Sequence, residues 1–242
     1  MTHSDLASLR GEPSYVWRAG QERRLAMMAQ WAPLEGARVL VAGCGLGMYA
    51  SKIRQRFTAD VEAFDIELDR VRLARAGVPS ALVSAAEDIP FADSTFDVVL
   101  SHEVIEHVRD DRRSVSEMLR VTRTGGRILL FCPNRWHPFE THGHYWRGEY
   151  HFGNTPLINY LPKRWRDKLT PHSRAYTAAE LKRLLDFDRA HIAHCSRIYG
   201  GYDNIIARLG APAVYLRDAL HRLEGTPLDT WALSHFAVIQ KR

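Results

Sequence analysis

Apolar positions along this chain follow two rhythms. Short continuous runs, such as Val39-Leu-Val41 and Val98-Val-Leu100, read as buried strands. Between them, apolar residues recur at helical spacing. The pattern predicts strands at 38–42, 61–65, 81–84, 96–101 and 127–132. Helices are expected at 47–57, 68–76, 103–107 and 111–122, with Gly77 ending the second as a helix C-terminus. Upstream, a helix is expected from Ser14 to about Trp31. Trp17, Leu25, Met28 and Trp31 form its apolar stripe, and Arg18, Arg23 and Arg24 lie off it. Pro33 and Gly36 then break the chain.

The alternation stops at Pro133. Residues 133–175 hold five prolines, many aromatics and five histidines, a composition suited to a lid or binding loop. It resumes with a capping box at Thr177-Ala-Ala-Glu180 and a helix to about Leu185. A strand near 190–198, a helix near 204–224 interrupted at Gly210 and Pro212, and a last strand at 233–240 complete the pattern. Strands separated by helices of about ten residues imply βαβ units, a mostly parallel sheet and helices on both faces, a doubly wound α/β fold. Residues 1–35 are expected to form a tail and helical flap. Residues 36–242 form one domain with the lid inserted at about 133–175.

Composition narrows the class. The chain has 242 residues, formal charge +5 and three cysteines far apart in sequence. That is enough chain for a sizeable core and is only mildly basic. No CxxC pair points to a zinc site, and a reducing cytoplasm is the simplest expectation. No apolar run approaches the roughly 18 residues of a transmembrane span, and no secretory leader is visible in the first thirty residues. The cluster Lys163-Arg-Trp-Arg-Asp-Lys168 reads first as a solvated helix face.

The chemistry concentrates at Gly43-Cys-Gly-Leu-Gly47, a glycine turn between a strand and a helix. Bare backbone and unpaired helix N–H groups suit close approach by a polar ligand. The spacing is G-x-G-x-G with Met48 next, which departs from the longer nucleotide fingerprint. Asp65 follows 22 residues after Gly43 at the end of the next strand, where an acid can accept two ribose hydroxyls. Helix capping is its plainer role.

VLVAGCGLG, the acid in AFDIELDRV, the run AAEDIPFADSTFDVVLS and the strand RTGGRILLFCPN together resemble the class I S-adenosylmethionine-dependent methyltransferases over residues 36–134. The resemblance implies a Rossmann-like methyltransferase fold and S-adenosyl-L-methionine as cofactor. Gly43, Cys44, Gly45 and Gly47 would pass under its methionine part, Asp65 would hold the ribose, and Ile66 would pack on the adenine. Ala86, Glu87 and Asp88 would meet the adenine edge, many relatives having an aspartate where Ala85 stands. Ser101 and His102 would face the methionine moiety.

His102-Glu-Val-Ile-Glu-His-Val108 carries an E-x-x-E-H pattern. On a helix, Glu103 and Glu106 would share a face with His107 beside it. The pattern resembles quinone-pathway O-methyltransferases and small-RNA 2′-O-methyltransferases, in which such residues are linked to a divalent metal. Three readings stay open: magnesium or manganese at Glu103, Glu106 and His107; His107 as a metal-free base; and a packing role. In the lid, His137, Glu140, His142 and His144 are available, and His142 or His144 could complete a site with His107. The candidate catalytic residues are therefore His107, Glu103 and His142.

The expected activity is methyl transfer to a small-molecule acceptor, at a hydroxyl oxygen. RNA 2′-O-methylation and a non-catalytic cofactor-binding module are the alternatives. Leu157-Ile-Asn-Tyr-Leu161, ahead of the basic cluster, allows peripheral membrane contact as a minority reading. Oligomeric state has no sequence signal.

Overall fold

The computed structural model describes residues 16–242. The expected tail at 1–13 and the first residues of the N-terminal helix lie outside them. That helix, α1, spans Ala19–Trp31. Leu25 and Met28 are fully buried, and Trp17 and Trp31 pack against the same core cluster. The stripe read from the sequence is thus the face that docks on the sheet.

The sheet strands are β1 (Val39–Ala42), β2 (Val61–Asp65), β3 (Leu82–Val83), β4 (Phe96–His102) and β5 (Thr122–Pro133), followed later by β10 (Ala190–Ile198) and β11 (Ser234–Lys241). Their order is β10-β11-β5-β4-β1-β2-β3. The first five pair in parallel, whereas β11 runs antiparallel between β5 and β10. Strand order reverses between β1 and β4, so a crevice opens at their carboxyl ends, where ligands of such sheets bind. The glycine turn and the E-x-x-E-H segment leave the sheet at those two strand ends.

Helices α2 (Met48–Arg56), α3 (Leu68–Ala74), α4 (Asp111–Val121) and α6 (Ala178–Leu184) flank the sheet. Asp110 caps α4 by accepting the Arg113 N–H, and Thr177 with Glu180 forms the expected capping box on α6. Two core clusters result, one on each face. Val39, Val41, Leu100, Phe131 and Phe236 point to one, and Leu40, Val99, Leu130, Met118 and Leu181 to the other. Burial on both faces explains why these strands read as continuous apolar runs.

Two expectations need correction. Gly77 is no left-handed cap: α3 ends at Ala74 with Arg75 as its C-cap, and a Cβ on Gly77 would lie 2.6 Å from Ser51 Oγ. Its small size lets α3's exit pass close to α2. The helix expected at 103–107 is absent. Glu103 adopts a left-handed backbone (φ 54°) and the chain continues as turns. The side-chain periodicity assumed for a helix therefore fails there.

The lid is ordered by small pairings. Strand β6 (Phe139–Glu140) pairs with β9 (Thr155–Pro156), and β7 (His144–Trp146) with β8 (Glu149–His151). Helix α5 (Lys163–Leu169) follows. The expected helix at 204–224 is broken at Gly210 into α7 (Asp203–Leu209) and α8 (Ala211–Arg222). No described helix is long and apolar enough to cross a membrane.

Candidate active site

A cavity of about 900 Å³ opens at the strand-order reversal. That is near the upper end for small-molecule sites, leaving room for two ligands side by side. Its wall brings together Gly43, Cys44, Gly45, Asp65, Ile66, Ala86, Glu87, Asp88, His102, Glu103, His107 and His142. Two expected residues stand outside it. Ser101 is buried and does not line the cavity. Gly47 also lies off the wall. Its φ is +78°, and a Cβ there would sit 2.9 Å from Ala74 Cβ. It lets α2 start against α3, so its effect on any ligand is indirect. Gly43 serves a similar end: an added Cβ would meet Val104 at 2.5 Å, so the glycine admits Val104 under the turn.

Asp65 ties the turn to the next strand. One carboxylate oxygen accepts the Gly45 N–H at 2.8 Å and the other accepts the Glu67 N–H at 3.0 Å. Each oxygen keeps a lone pair for a ligand. Ile66, beside it, is 47% exposed, an apolar surface offered to the cavity. Opposite, the Glu87 carboxylate is used by the Arg109 N–H at 2.7 Å.

The helix α1 closes the cavity's other side through Arg24. Its guanidinium donates to His102 Nε2, to Glu103 Oε1 at 3.4 Å and to Ser234 Oγ at 3.2 Å, and lies 5.5 Å from the Phe131 ring centre. Arginine has no acceptor, so His102 carries its proton on Nδ1. Burial, then the Arg24 charge, push the His102 pKa down to about 3, keeping the ring neutral. Burial would raise Glu103; the Arg24 charge, helped by the Ser234 hydroxyl, outweighs it and holds this acid down to about 2. Glu103 also accepts the Ser234 hydroxyl at 2.9 Å. It is committed to that pair.

A second cluster faces it. Glu106 is 1% exposed, and neither carboxylate oxygen has a hydrogen-bond partner among the described residues. Burial, then the Glu103 charge, push its pKa well above the usual carboxylate range. His107 Nε2 and His142 Nε2 stand 3.9 and 3.8 Å from the same Glu106 oxygen. Both rings are oriented from behind. His107 donates Nδ1–H to the His172 carbonyl at 2.9 Å, and His142 donates Nδ1–H to Glu140 at 3.1 Å. Both Nε2 lone pairs are therefore available to the cluster. Burial, then the neighbouring His142, push the His107 pKa down to about 3.

Ligand atoms of Glu106, His107 and His142 all lie within 4.8 Å of one another. The expected metal set was Glu103, Glu106 and His107; the lid's His142 takes the place that Glu103 would have filled. The reason is the missing helix at 103–107, which sends Glu103 to Arg24 instead. Two imidazoles and one carboxylate suit a divalent transition ion better than magnesium, which prefers oxygen ligands. The buried oxygens without partners and the fixed imidazole tautomers fit such an ion. His144 stays apart: it stacks on His151 with ring centres 5.3 Å apart. His137 donates Nδ1–H to the Trp231 carbonyl at 3.0 Å and so ties down the lid base.

Sequence reasoning missed Arg24, Ser234 and Tyr49 at this site; Tyr49 lines the cavity with its hydroxyl 3.4 Å from His102 Nε2. An arginine off the apolar stripe of α1 was the available signal for the first. Nothing in the local pattern marks the second, which arrives from the last strand.

A methyltransferase-domain family profile matches residues 40–130. A probable S-adenosylmethionine-dependent methyltransferase of Mycolicibacterium smegmatis is 31% identical over 153 residues, covering 62% of this chain and 51% of that protein. A ubiquinone biosynthesis O-methyltransferase of Rhizobium etli is 35% identical over 109 residues, covering 43% of this chain and 44% of that protein. The chain thus spans about half the length of these relatives. An S-adenosylmethionine-dependent methyltransferase structure from Mesorhizobium loti superposes with a TM-score of 0.65 at 15% identity, covering 92% of this chain and 98% of that one, a likeness of fold.

Proposed function

We propose, from the match of residues 40–130 to the methyltransferase-domain profile and the likeness to a probable S-adenosylmethionine-dependent methyltransferase, that the chain methylates a hydroxyl oxygen of a small-molecule acceptor with S-adenosylmethionine as donor. The observation that carries this reading is that two groups share one cavity. The turn at Gly43–Gly45 with Asp65 lines it together with His107 and His142, and the buried Glu106 stands behind these two imidazoles with its ligand atom within 4.8 Å of theirs.

S-adenosylmethionine supplies an electrophilic methyl on a sulfonium sulfur. Asp65 keeps lone pairs for ribose hydroxyls, and Ile66 offers a flat apolar contact to the base. Ala86, Glu87 and Asp88, which line the same cavity, would meet the adenine edge. Arg24, paired with Glu103 and His102, is the nearby cation for the carboxylate of the methionine end. Transfer to oxygen is an in-line displacement, so the protein's main tasks are alignment and exclusion of water.

A hydroxyl must also give up its proton. With no ion bound, His107 and His142, each donating Nδ1–H away from the cluster, would direct their Nε2 lone pairs at one Glu106 oxygen, so either could receive it. Residues Glu106, His107 and His142 would also hold a divalent transition ion, which when bound lowers the acceptor hydroxyl's pKa. Glu103 does not join that set and acts as counter-ion to Arg24. The O-methyltransferase among the relatives supports oxygen as the acceptor atom. The lid residues Thr141, His142 and Phe152 and the α1 residues Gln21 and Arg24 wall part of the cavity, which favours a small acceptor over a nucleic-acid strand.

The experiment is transfer of tritiated methyl from S-adenosylmethionine to fractionated cell extract. Label is expected in the small-molecule fraction, released by conditions that cleave methyl ethers. Label confined to RNA, or no binding of the cofactor by calorimetry, overturns the proposal.

A further inference from the structure

The lid contains a buried ion pair that the reaction as described does not use. Arg166 on α5 and Glu140 on β6 are each 2% exposed, and the guanidinium donates to Glu140 Oε2 at 2.8 Å. Burying two charges in this way is costly unless the remaining donors and acceptors are also filled. They are. Arg166 Nε donates to Asn159 Oδ1 at 3.1 Å, and a terminal nitrogen donates to the Ser173 carbonyl at 2.9 Å. Asn159 in turn donates to the His137 and Phe139 carbonyls. One arginine thus joins β6, the turn at Ile158–Tyr160 and the loop after α5. Its planar fork meets three acceptors in fixed directions, which lysine could not do.

The free oxygen of this pair points at His142. Glu140 Oε1 accepts the His142 backbone N–H at 3.0 Å and the ring Nδ1–H at 3.1 Å. The Thr141 hydroxyl, 3.5 Å from the same ring nitrogen, is at the limit of bonding distance. The His142 carbonyl is also held, by Tyr150 Oη at 2.6 Å and by His172 Nε2 at 3.0 Å. The backbone and the ring of His142 are therefore both fixed from the lid side. Only Nε2 is left facing Glu106 and His107.

We propose that Glu140, held by Arg166, is a positioning residue that locks His142 in the Nδ1–H tautomer with Nε2 directed at Glu106 and His107. This rests on the reading of that cluster as the reacting site. Outer carboxylates of this kind set the tautomer and direction of an imidazole, and their loss typically weakens metal binding by about 10–100-fold. Without an acceptor at Nδ1, a neutral imidazole in water prefers its proton on Nε2, which would close the lone pair that the cluster needs.

The test reads the tautomer directly, by nitrogen-15 NMR of histidine rings in the full chain with no metal added. His142 is assigned by loss of its signals in His142→Gln. In the unaltered protein, Nδ1 is expected as the protonated nitrogen and Nε2 as the bare one. In Glu140→Ala, the proton moves mainly to Nε2, while His107, held by the His172 carbonyl, keeps its own pattern and reports an intact fold. Should the alanine variant not fold, Glu140→Gln is read in the same way. It has one oxygen where Glu140 meets three donors, so a mixture of tautomers is expected. Cobalt(II) titration then gives the second readout, with affinity lower by about 10–100-fold in the Glu140 variants. An unchanged His142 tautomer in the folded variants overturns the inference. A shifted tautomer in a protein that binds no cobalt supports positioning by Glu140 and instead removes the metal from the proposed function.

Discussion

Glu106 and His142 lie 36 positions apart in sequence and meet at 3.8 Å, one from the end of a central strand and the other from the lid. The contact joins the two parts of the chain that read most differently. One belongs to the regular α/β alternation, the other to the proline- and histidine-rich segment. Closing this distance depends on the lid's own hydrogen bonds as much as on the sheet.

The first prediction concerns Asp65. Its two oxygens accept two backbone N–H groups, one from the glycine turn after β1 and one from the residue that follows β2 by two positions. In Asp65→Asn only one oxygen remains, so one N–H loses its partner at a cost of about 1–3 kcal/mol. Calorimetric affinity for S-adenosylmethionine should fall by at least tenfold, with a lower melting temperature. Unchanged affinity would separate Asp65 from cofactor binding.

Two glycines give a controlled comparison. Gly47 and Gly125 share a left-handed backbone, at φ +78° and +79°, yet only Gly47 has a neighbour in the way of a Cβ. Gly125→Ala should cost about 1 kcal/mol for backbone strain alone. Gly47→Ala adds the collision with Ala74 and should cost about 2–4 kcal/mol. Denaturant midpoints measure both, and equal losses would show that packing of α2 on α3 is unimportant.

Titration of His102 provides a pH signature. Its folded pKa is about 3, below the usual histidine value. Between those values the unfolded chain binds the proton and the folded protein does not. Stability from this residue is therefore complete above about pH 6.5 and is lost as pH falls toward 3. The slope contributed is about 1.4 kcal/mol per pH unit. His102→Gln keeps an acceptor for Arg24 and removes the titration. Its unfolding free energy should fall less steeply between pH 6.5 and 5 than that of the parent, as measured by urea denaturation.

Much of this molecule was legible from sequence. Sheet strands buried on both faces announce themselves as apolar runs, and the capping box at Thr177 fixed the start of α6. The glycine turn and Asp65 were visible because strand ends in this fold carry their ligands. The segment 103–107 was not. Its residues have acceptable helix propensity, but Val104 seats against Gly43 and Glu103 turns left-handed toward Arg24. Those are tertiary contacts from elements 61 to 79 positions away, and local pattern cannot report them. The lid was legible only as an exception to the rhythm. That His142 rather than His144 reaches the cluster depends on Arg166, 24 positions later, and on no periodicity at all.

Arg24 is the natural place to perturb the cavity from α1. In Arg24→Met the apolar stem is retained, and Glu103 keeps only Ser234 as a partner. An acid left partly unpaired in a buried site should destabilise the fold by about 1–3 kcal/mol. S-adenosylmethionine affinity should fall as well, since a cation is lost beside His102. The double variant Arg24→Met with Glu103→Gln should recover the stability but not the affinity. Recovery of both would mean that Arg24 serves the fold alone.

The most direct test is the rate of methyl transfer by protein stripped with a chelator, before and after a divalent transition ion is returned, in the parent and in Glu106→Gln. The arrangement of Glu106, His107 and His142 predicts that stripping abolishes most transfer, that the ion restores it in the parent, and that Glu106→Gln stays slow in both conditions while binding S-adenosylmethionine normally. Transfer at the parent's rate by the stripped protein and by Glu106→Gln alike would contradict it.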